Sequence, residues 1–256
     1  LAIEGDGEHK WERMDSNWDK YTHLDPKANY VHKQADAILQ LKQNQSIHRS
    51  EYDHNLGKFT KPKLVIPKEF IVIAGLHPFY IPKVRKNIDF KIFLDTEETL
   101  RRHWKILRDV LKRQYTKEKI EEQLERRLAD SKKYIDPQKK FADMIVKFFS
   151  NSNFEPGLES ADTGICLKIT ISTSVYMEDL IGLLQSSDIT WDYNDDLNSQ
   201  YIILNKPPIN DFKILAMNTI ENLNEIIDAN AKWANGYNGF IQYLCLKIIC
   251  EKLKEL

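Results

Sequence analysis

The sequence predicts an α/β fold in which a mostly parallel sheet, flanked by helices, is extended by antiparallel strands and C-terminal helices. Three observations carry that expectation. Phe70-Ile71-Val72-Ile73-Ala74 and Phe90-Lys91-Ile92-Phe93-Leu94 have the length and the β-branched and aromatic content of strands covered on both faces. Segments of helical period lie between and after such runs. Beyond about residue 157 the period becomes two, in Leu167-Lys168-Ile169-Thr170-Ile171-Ser172 and Ser199-Gln200-Tyr201-Ile202-Ile203-Leu204, as in antiparallel strands with one buried face.

Taken in order, Leu1 to Asp6 reads as a strand with a carboxylate at its C-terminal end, opening inside a fold rather than at its start. Ligands bind beyond such strand ends in open α/β sheets. The loop Gly7 to Arg13 adds an imidazole, His9, and two cations, Lys10 and Arg13. By itself such a loop also suits an ordinary charged surface. Asp25-Pro26 starts a helix through Val31, Ala35, Ile38 and Leu39 that stops near Gln43. Tyr52 to Gly57 has turn chemistry and predicts a hairpin before the strand at 70. After Asp95, Leu100, Trp104, Leu107 and Leu111 recur at helical spacing, with Arg101, Lys105, Arg108 and Lys112 on the other face and Arg113 closing the segment. That basic face is either ordinary solvated surface or a clamp for phosphate. Ile120, Leu124 and Leu128 continue the helical pattern, and Arg126 and Arg127 near its end suit the helix dipole. Tyr134 to Lys139 breaks it, and Ala142 to Val146 reads as another parallel strand. The polar stretch Ser150 to Gly157 marks a boundary, so residues 1–149 are expected as a core and 158–256 as an extension of the same sheet. Ile189 to Tyr193 is expected to pair beside the alternating strands. Two helices follow, one carrying Ile214, Met217, Ile220, Leu223 and Ile226, the other Phe240, Leu244, Ile248 and Leu253.

Composition narrows the function. With 37 basic and 38 acidic residues the net charge is −1, which argues against a general polyanion surface and leaves nucleic acid aside as a partner. Cys166, Cys245 and Cys250 are few, odd in number and outside any paired motif, so neither a disulfide framework nor a zinc site is indicated. A reducing, cytoplasmic setting is expected. No apolar run approaches the ~20 residues that cross a bilayer, so no membrane partner is expected.

Several ordered segments resemble the phosphoribulokinase family, within the phosphoribulokinase and uridine kinase group, and look most like its plant and cyanobacterial type. Gly5-Asp6-x-x-His9-Lys10-x-x-Arg13 is similar to the family's signature after a strand, and Leu24-Asp25-Pro26-Lys27-Ala28-Asn29 to the segment that follows. Tyr52-x-His54 and Gly75-Leu76-His77-Pro78 continue in order. Lys105-x-x-Arg108-Asp109-x-x-x-Arg113 resembles the lid helix, within lid helices at about 97–130, and Arg127 the arginine after it. Tyr134-Ile135-Asp136-Pro137-Gln138-Lys139-x-x-Ala142-Asp143 resembles the last block of the kinase part. The tail, Asn238-Gly239-Phe240 into Leu246-Lys247-Ile248, is also similar.

The resemblance implies a P-loop-kinase-like fold and phosphoryl transfer from ATP, with Mg²⁺, to a primary hydroxyl of a pentose phosphate or related small sugar. Asp6 would be the base, because the transfer needs a hydroxyl oriented and relieved of its proton. His9, Lys10, Arg13, Tyr52, His54, His77 and Arg127 would hold the acceptor. Lys105, Arg108 and Arg113 would stabilise charge on the transferring phosphoryl group, with Asp109 orienting them. A homodimer is also implied. The chain departs from the pattern twice. The family's Gly-rich phosphate loop would stand before the first strand, where this stretch begins, and the stretch without that loop is expected to be inactive. Ala74 stands where the family carries a glutamate that supports the metal, so the metal ligand is unassigned. Uridine kinase is the alternative enzyme, sharing the lid and the Tyr-x-His neighbourhood but calling for a base-stacking pocket. A catalytically inactive homologue that binds sugar phosphate is the alternative from another class, motivated by Ala74.

Overall fold

The computed structural model describes residues 1–113, 116–156, 163–186, 188–228 and 230–254. The chain forms two compact units, one from Leu1–Lys91 and Tyr115–Ala142, the other from Ile92–Gln114 and Asp143–Leu256.

In the first unit, β1 (Ala2–Glu4) ends in a 3-10 turn, Gly5–Glu8. The Asp25 carboxylate accepts the Lys27 N–H at 2.8 Å and so caps a second such turn, with Pro26 at its first position. α1 (Val31–Lys42) follows and buries Ala35, Ile38, Leu39 and Leu41, the face that its apolar spacing marks out. β2 (Ile47–Arg49), β3 (Tyr52–Asp53), β4 (Lys58–Phe59) and β5 (Lys63–Val65) make two nested antiparallel ladders, β2 with β5 and β3 with β4. This is the expected hairpin. β6 (Val72–Ala74) lies parallel to β1, with Ala2 opposite Val72 and Glu4 opposite Ala74. Beyond that pair Gly5 and Gly75 meet so closely that a Cβ on Gly5 would come 3.2 Å from the Gly75 Cα. The short α2 (Pro82–Arg85) packs Val84 against Ala35, Ile38 and Leu39.

β7 (Ile92–Thr96) and α3 (Glu98–Arg113) belong to the second unit. α4 (Lys117–Asp130), capped by the Thr116 hydroxyl, belongs to the first, as do the turns Ser131–Ile135 and Asp136–Phe141 that stop it. The rest of the chain completes the second unit: β8 (Met144–Ser150), β9 (Ile165–Ser172), α5 (Glu178–Leu183), β10 (Ile189–Tyr193), β11 (Ser199–Leu204), α6 (Phe212–Thr219), α7 (Leu223–Ile226) and α8 (Gly236–Lys254). Its five strands run in the order β10-β11-β9-β8-β7, with β7 and β8 parallel and the other neighbours antiparallel. Met144, Val146, Leu167, Ile169, Ile202 and Leu204 are buried on the strands, and Phe212, Phe240, Tyr243 and Leu244 on the helices. The Tyr237 hydroxyl donates to the Ile165 carbonyl at 2.8 Å and ties α8 to β9.

Three expectations change. The four strands expected in one parallel ladder fall into two, β1-β6 and β7-β8, because an apolar run specifies a strand but not its partner. Their burial also differs: Val72 is 62 % exposed and Leu94 73 %. The helix expected through Ile214 and Ile226 is broken, since Ile220 is extended and Asn222 takes a left-handed φ of 58°. On α3 the buried residues include Leu100, His103 and Asp109, whereas Leu111 is 69 % exposed.

Candidate active site

The strand-end cluster belongs to the first unit. β1 carries Asp6 into the turn that ends it, and the β3–β4 hairpin brings His54 to meet it. The Asp6 Oδ2 and His54 Nε2 atoms are 3.0 Å apart, with both side chains about half exposed. Arg13 backs the hairpin. Its Nη2 donates to the His54 carbonyl at 2.6 Å, and its N–H donates to the Gly57 carbonyl at 3.0 Å. Gly57 has to be glycine here: its φ is +69°, and a Cβ would stand 2.8 Å from the Arg13 Cβ.

Tyr52 sits behind this group, its ring edge-on to His54 at 5.2 Å and stacked on Trp18 at 5.8 Å. Its hydroxyl is buried without a hydrogen bond of good geometry, and burial raises its pKa. His9 is buried between Trp18 and His23, with ring centroids 5.0 and 4.2 Å away. Its Nδ1 faces the Trp11 backbone, while Nε2 is buried and unpartnered. Burial lowers the His9 pKa, with Arg127 pressing the same way and Asp6 opposing. Arg127, on α4, therefore lies within electrostatic reach of His9. Lys10 is not part of this ring cluster, its Nζ lying 5.5 Å from the centre of the Tyr30 ring. His77 is buried after β6, its pKa also lowered by burial.

The cation cluster belongs to the second unit and is built on one turn of α3. Lys105 Nζ is 2.5 Å from Asp109 Oδ2, and Arg108 Nε donates to Asp109 Oδ1 at 2.8 Å. Asp109 is 1 % exposed and Lys105 11 %, which departs from a plainly solvated basic face. Burial alone would raise the Asp109 pKa, but the hydrogen bonds from Arg108 and Lys105 bring it below the usual value. One carboxylate thus fixes two cations, leaving the group net positive. The side chain of Arg113 lies outside the described residues.

Sequence reasoning passed over Glu8 and Arg49, buried beside the turn after β1. Arg49 Nη2 donates to the Glu4 carbonyl at 2.7 Å, and its Nε lies 3.9 Å from Glu8 Oε1. Burial raises the Glu8 pKa against the pull of Lys33 and Arg49. A signal existed only for Arg49, which alternates with buried Ile47 on β2. Gln138 was quoted in a motif but given no role. Its Nε2 donates to the Leu76 and Tyr134 carbonyls at 2.9 Å, and its Oε1 accepts the Phe79 N–H at 3.2 Å, clamping the turn that carries His77.

Among solved structures, one titled phosphoribulokinase from Rhodobacter spheroides matches with a TM-score of 0.64 at 18 % identity, covering 80 % of each chain. The fold is therefore the mixed α/β fold of that kinase. The chain belongs to the Phosphoribulokinase / Uridine kinase family, whose model matches residues 6–155. Relatives include the chloroplastic phosphoribulokinase of Spinacia oleracea, 37 % identical over 139 residues, which are 54 % of this chain and 35 % of that one. The phosphoribulokinase of Synechocystis is 37 % identical over 142 residues, 56 % of this chain and 43 % of that one. A uridine kinase of Borrelia duttonii is 33 % identical over 142 residues, 55 % of this chain and 66 % of that one. The matched stretch thus spans less than half of each of the two phosphoribulokinases.

Proposed function

We propose that this chain is part of an ATP-dependent phosphotransferase that acts on a hydroxyl of a pentose phosphate or related sugar, as phosphoribulokinase does. The Asp6–His54 pair at the end of β1, 3.0 Å apart, carries the reading. A half-exposed carboxylate held by an imidazole is suited to orienting a hydroxyl and taking its proton as the new bond forms. Arg13, buttressed through the hairpin, supplies a guanidinium for the acceptor's phosphate, a group that its fork matches. Lys105 and Arg108 would offset the charge of the transferring phosphoryl oxygens, with Asp109 fixing their positions.

ATP supplies the phosphoryl group, and Mg²⁺, when bound, neutralises part of the phosphate charge. The donor chemistry fits that ion. Glu4, exposed at the end of β1, is a hard oxygen donor, and Mg²⁺ is commonly held by one or two carboxylates with waters and phosphate. Glu4 is the register partner of Ala74, so an acid stands on the strand next to the position that lacks one.

The test is ADP release by the full-length protein with ribulose 5-phosphate as acceptor. Turnover is expected, and Asp6→Asn should lower kcat by ~10² to 10⁴ while acceptor and ATP still bind, as for loss of a general base. Near-normal turnover in Asp6→Asn would refute the assignment. Turnover with uridine but not with any sugar phosphate would move the chain to the nucleoside branch. A homodimer is part of the same proposal, and sedimentation at micromolar concentration checks it.

A further inference from the structure

A cleft of about 510 Å³ opens in the first unit between the loop at residues 10–15 and β4. We propose that it is a second binding site, separate from the Asp6–His54 pair, and that it takes a neutral hydroxylated ring, an unphosphorylated sugar.

Size and construction come first. The volume lies within the range that holds small metabolites. Its two walls are joined before any ligand arrives: Arg13 N–H donates to the Gly57 carbonyl at 3.0 Å, and Phe59 N–H donates to Glu12 Oε1 at 3.0 Å. Trp11 and Phe59 give it an aromatic lining. Both rings are held from outside, Trp11 stacked on Tyr21 at 6.0 Å and Phe59 braced edge-on by Tyr52 at 5.2 Å. Fixed aromatic surface of this kind suits the C–H face of a sugar ring.

Charge then selects the ligand. Lys10 and Lys58 line the cleft with Glu12 and Asp15, two cations against two carboxylates. A phosphate dianion would meet both acids, and an organic cation both lysines. A polyol offends neither, because each hydroxyl both donates and accepts. The acids are oriented by the chain itself. Asp15 Oδ1 accepts from Asn17 N–H at 2.7 Å and from its side-chain amide at 3.0 Å, while Glu12 Oε1 takes Phe59 N–H. Among the described residues no donor meets the other oxygen of either, which leaves it to accept from a ligand. Lys58 is exposed and meets no acid among the described residues, so its ammonium can donate.

The experiment uses D-ribose and methyl β-D-glucopyranoside as probes, read by saturation-transfer NMR and tryptophan fluorescence on the full-length protein. Saturable binding by at least one probe is expected, with Kd in the millimolar range, about −4 kcal/mol. Lys58→Ala and Asp15→Asn should each weaken it by about threefold to tenfold, the effect of one exposed hydrogen bond. Trp11→Phe should abolish the fluorescence change. Asp6→Asn should bind the probe as the parent does, so failure of the kinase reading and failure of this one are told apart. Absence of saturable binding by both probes, full binding in the Lys58 and Asp15 variants, or displacement by inorganic phosphate would each overturn the proposal.

Discussion

At the residue scale, the buried imidazoles set a pH dependence whose sign follows from burial. His9 and His77 both have pKa values held below the ordinary 6.5, chiefly because burial disfavours the charged ring. The unfolded chain therefore binds these protons first as pH falls. Their contribution to stability is complete above 6.5 and is lost as pH drops through the unfolded value towards the lower folded ones. Glu8, with a raised pKa, acts in the opposite sense, and its window begins nearer its ordinary 4.5. Urea melts at pH 7.5 and 5.5 should show the lower midpoint at pH 5.5, and NMR titration of the two rings should place both below free histidine. Equal midpoints together with ordinary ring titrations would remove the burial account. Asp109 gives a second prediction. Replacing it by Asn removes the carboxylate that pairs with Lys105, itself 11 % exposed, and with Arg108. Breaking a buried pair costs about 3 to 5 kcal/mol, and because Arg108 is half exposed we expect about 2 to 3 kcal/mol at pH 7 by urea denaturation. Because the folded pKa of Asp109 is lowered, that penalty begins to shrink as pH falls below the ordinary 3.8, where the unfolded chain takes up the proton, and is lost as pH falls on through the lower folded value, where the folded carboxylate is protonated too.

At the scale of elements, legibility followed the kind of signal. α1 was readable from its apolar spacing and from Asp25-Pro26, although the proline belongs to a separate capped turn that precedes the helix. The strands of the five-stranded sheet and β1 and β6 were readable as strands, β2 and β5 were not, and the switch to antiparallel pairing after the boundary is what the structure shows. Partner choice was not readable, because hydrophobic runs carry no label for the neighbour they pair with. The break between α6 and α7 was hidden for a related reason. The spacing of Ile214, Met217, Ile220, Leu223 and Ile226 continues across it, while the cause is a left-handed Asn222 that no periodicity reports. Gly239 shows the opposite case, a residue quoted in a motif whose role is plain only in three dimensions. A Cβ there would come 2.2 Å from the Ala234 carbonyl oxygen and 2.5 Å from the Phe212 ring. Gly239→Ala should therefore force α8 from its seat and cost about 1 to 3 kcal/mol, as overpacking does, although alanine favours helices. A thermal melt equal to the parent's would show that the helix yields at no cost.

At the scale of the whole molecule, the two units differ in how much backbone each sheet protects. β9 is paired on both sides, by β8 and β11, and Cys166, Leu167 and Ile169 are wholly buried. Among the described residues the first unit's parallel ladder consists of β1 and β6, three residues each, with Val72 largely exposed. Asp6, the proposed base, sits in the turn that ends this small ladder, and segments that handle ligands are drawn from the less protected parts of a fold. The candidate residues were legible because polar groups ending apolar strands stand out in a sequence. The Asp6–His54 contact was not, since the two lie 48 positions apart in sequence and only the folded hairpin brings them together. Hydrogen exchange tests the consequence. Amides of 165–172 should exchange at rates set by unfolding of the second unit, whereas those of 2–4 and 72–74 should exchange faster by orders of magnitude through local opening. If both sets exchanged together, the two ladders would open as one cooperative body, and Asp6 would rest on a base as firm as the five-stranded sheet.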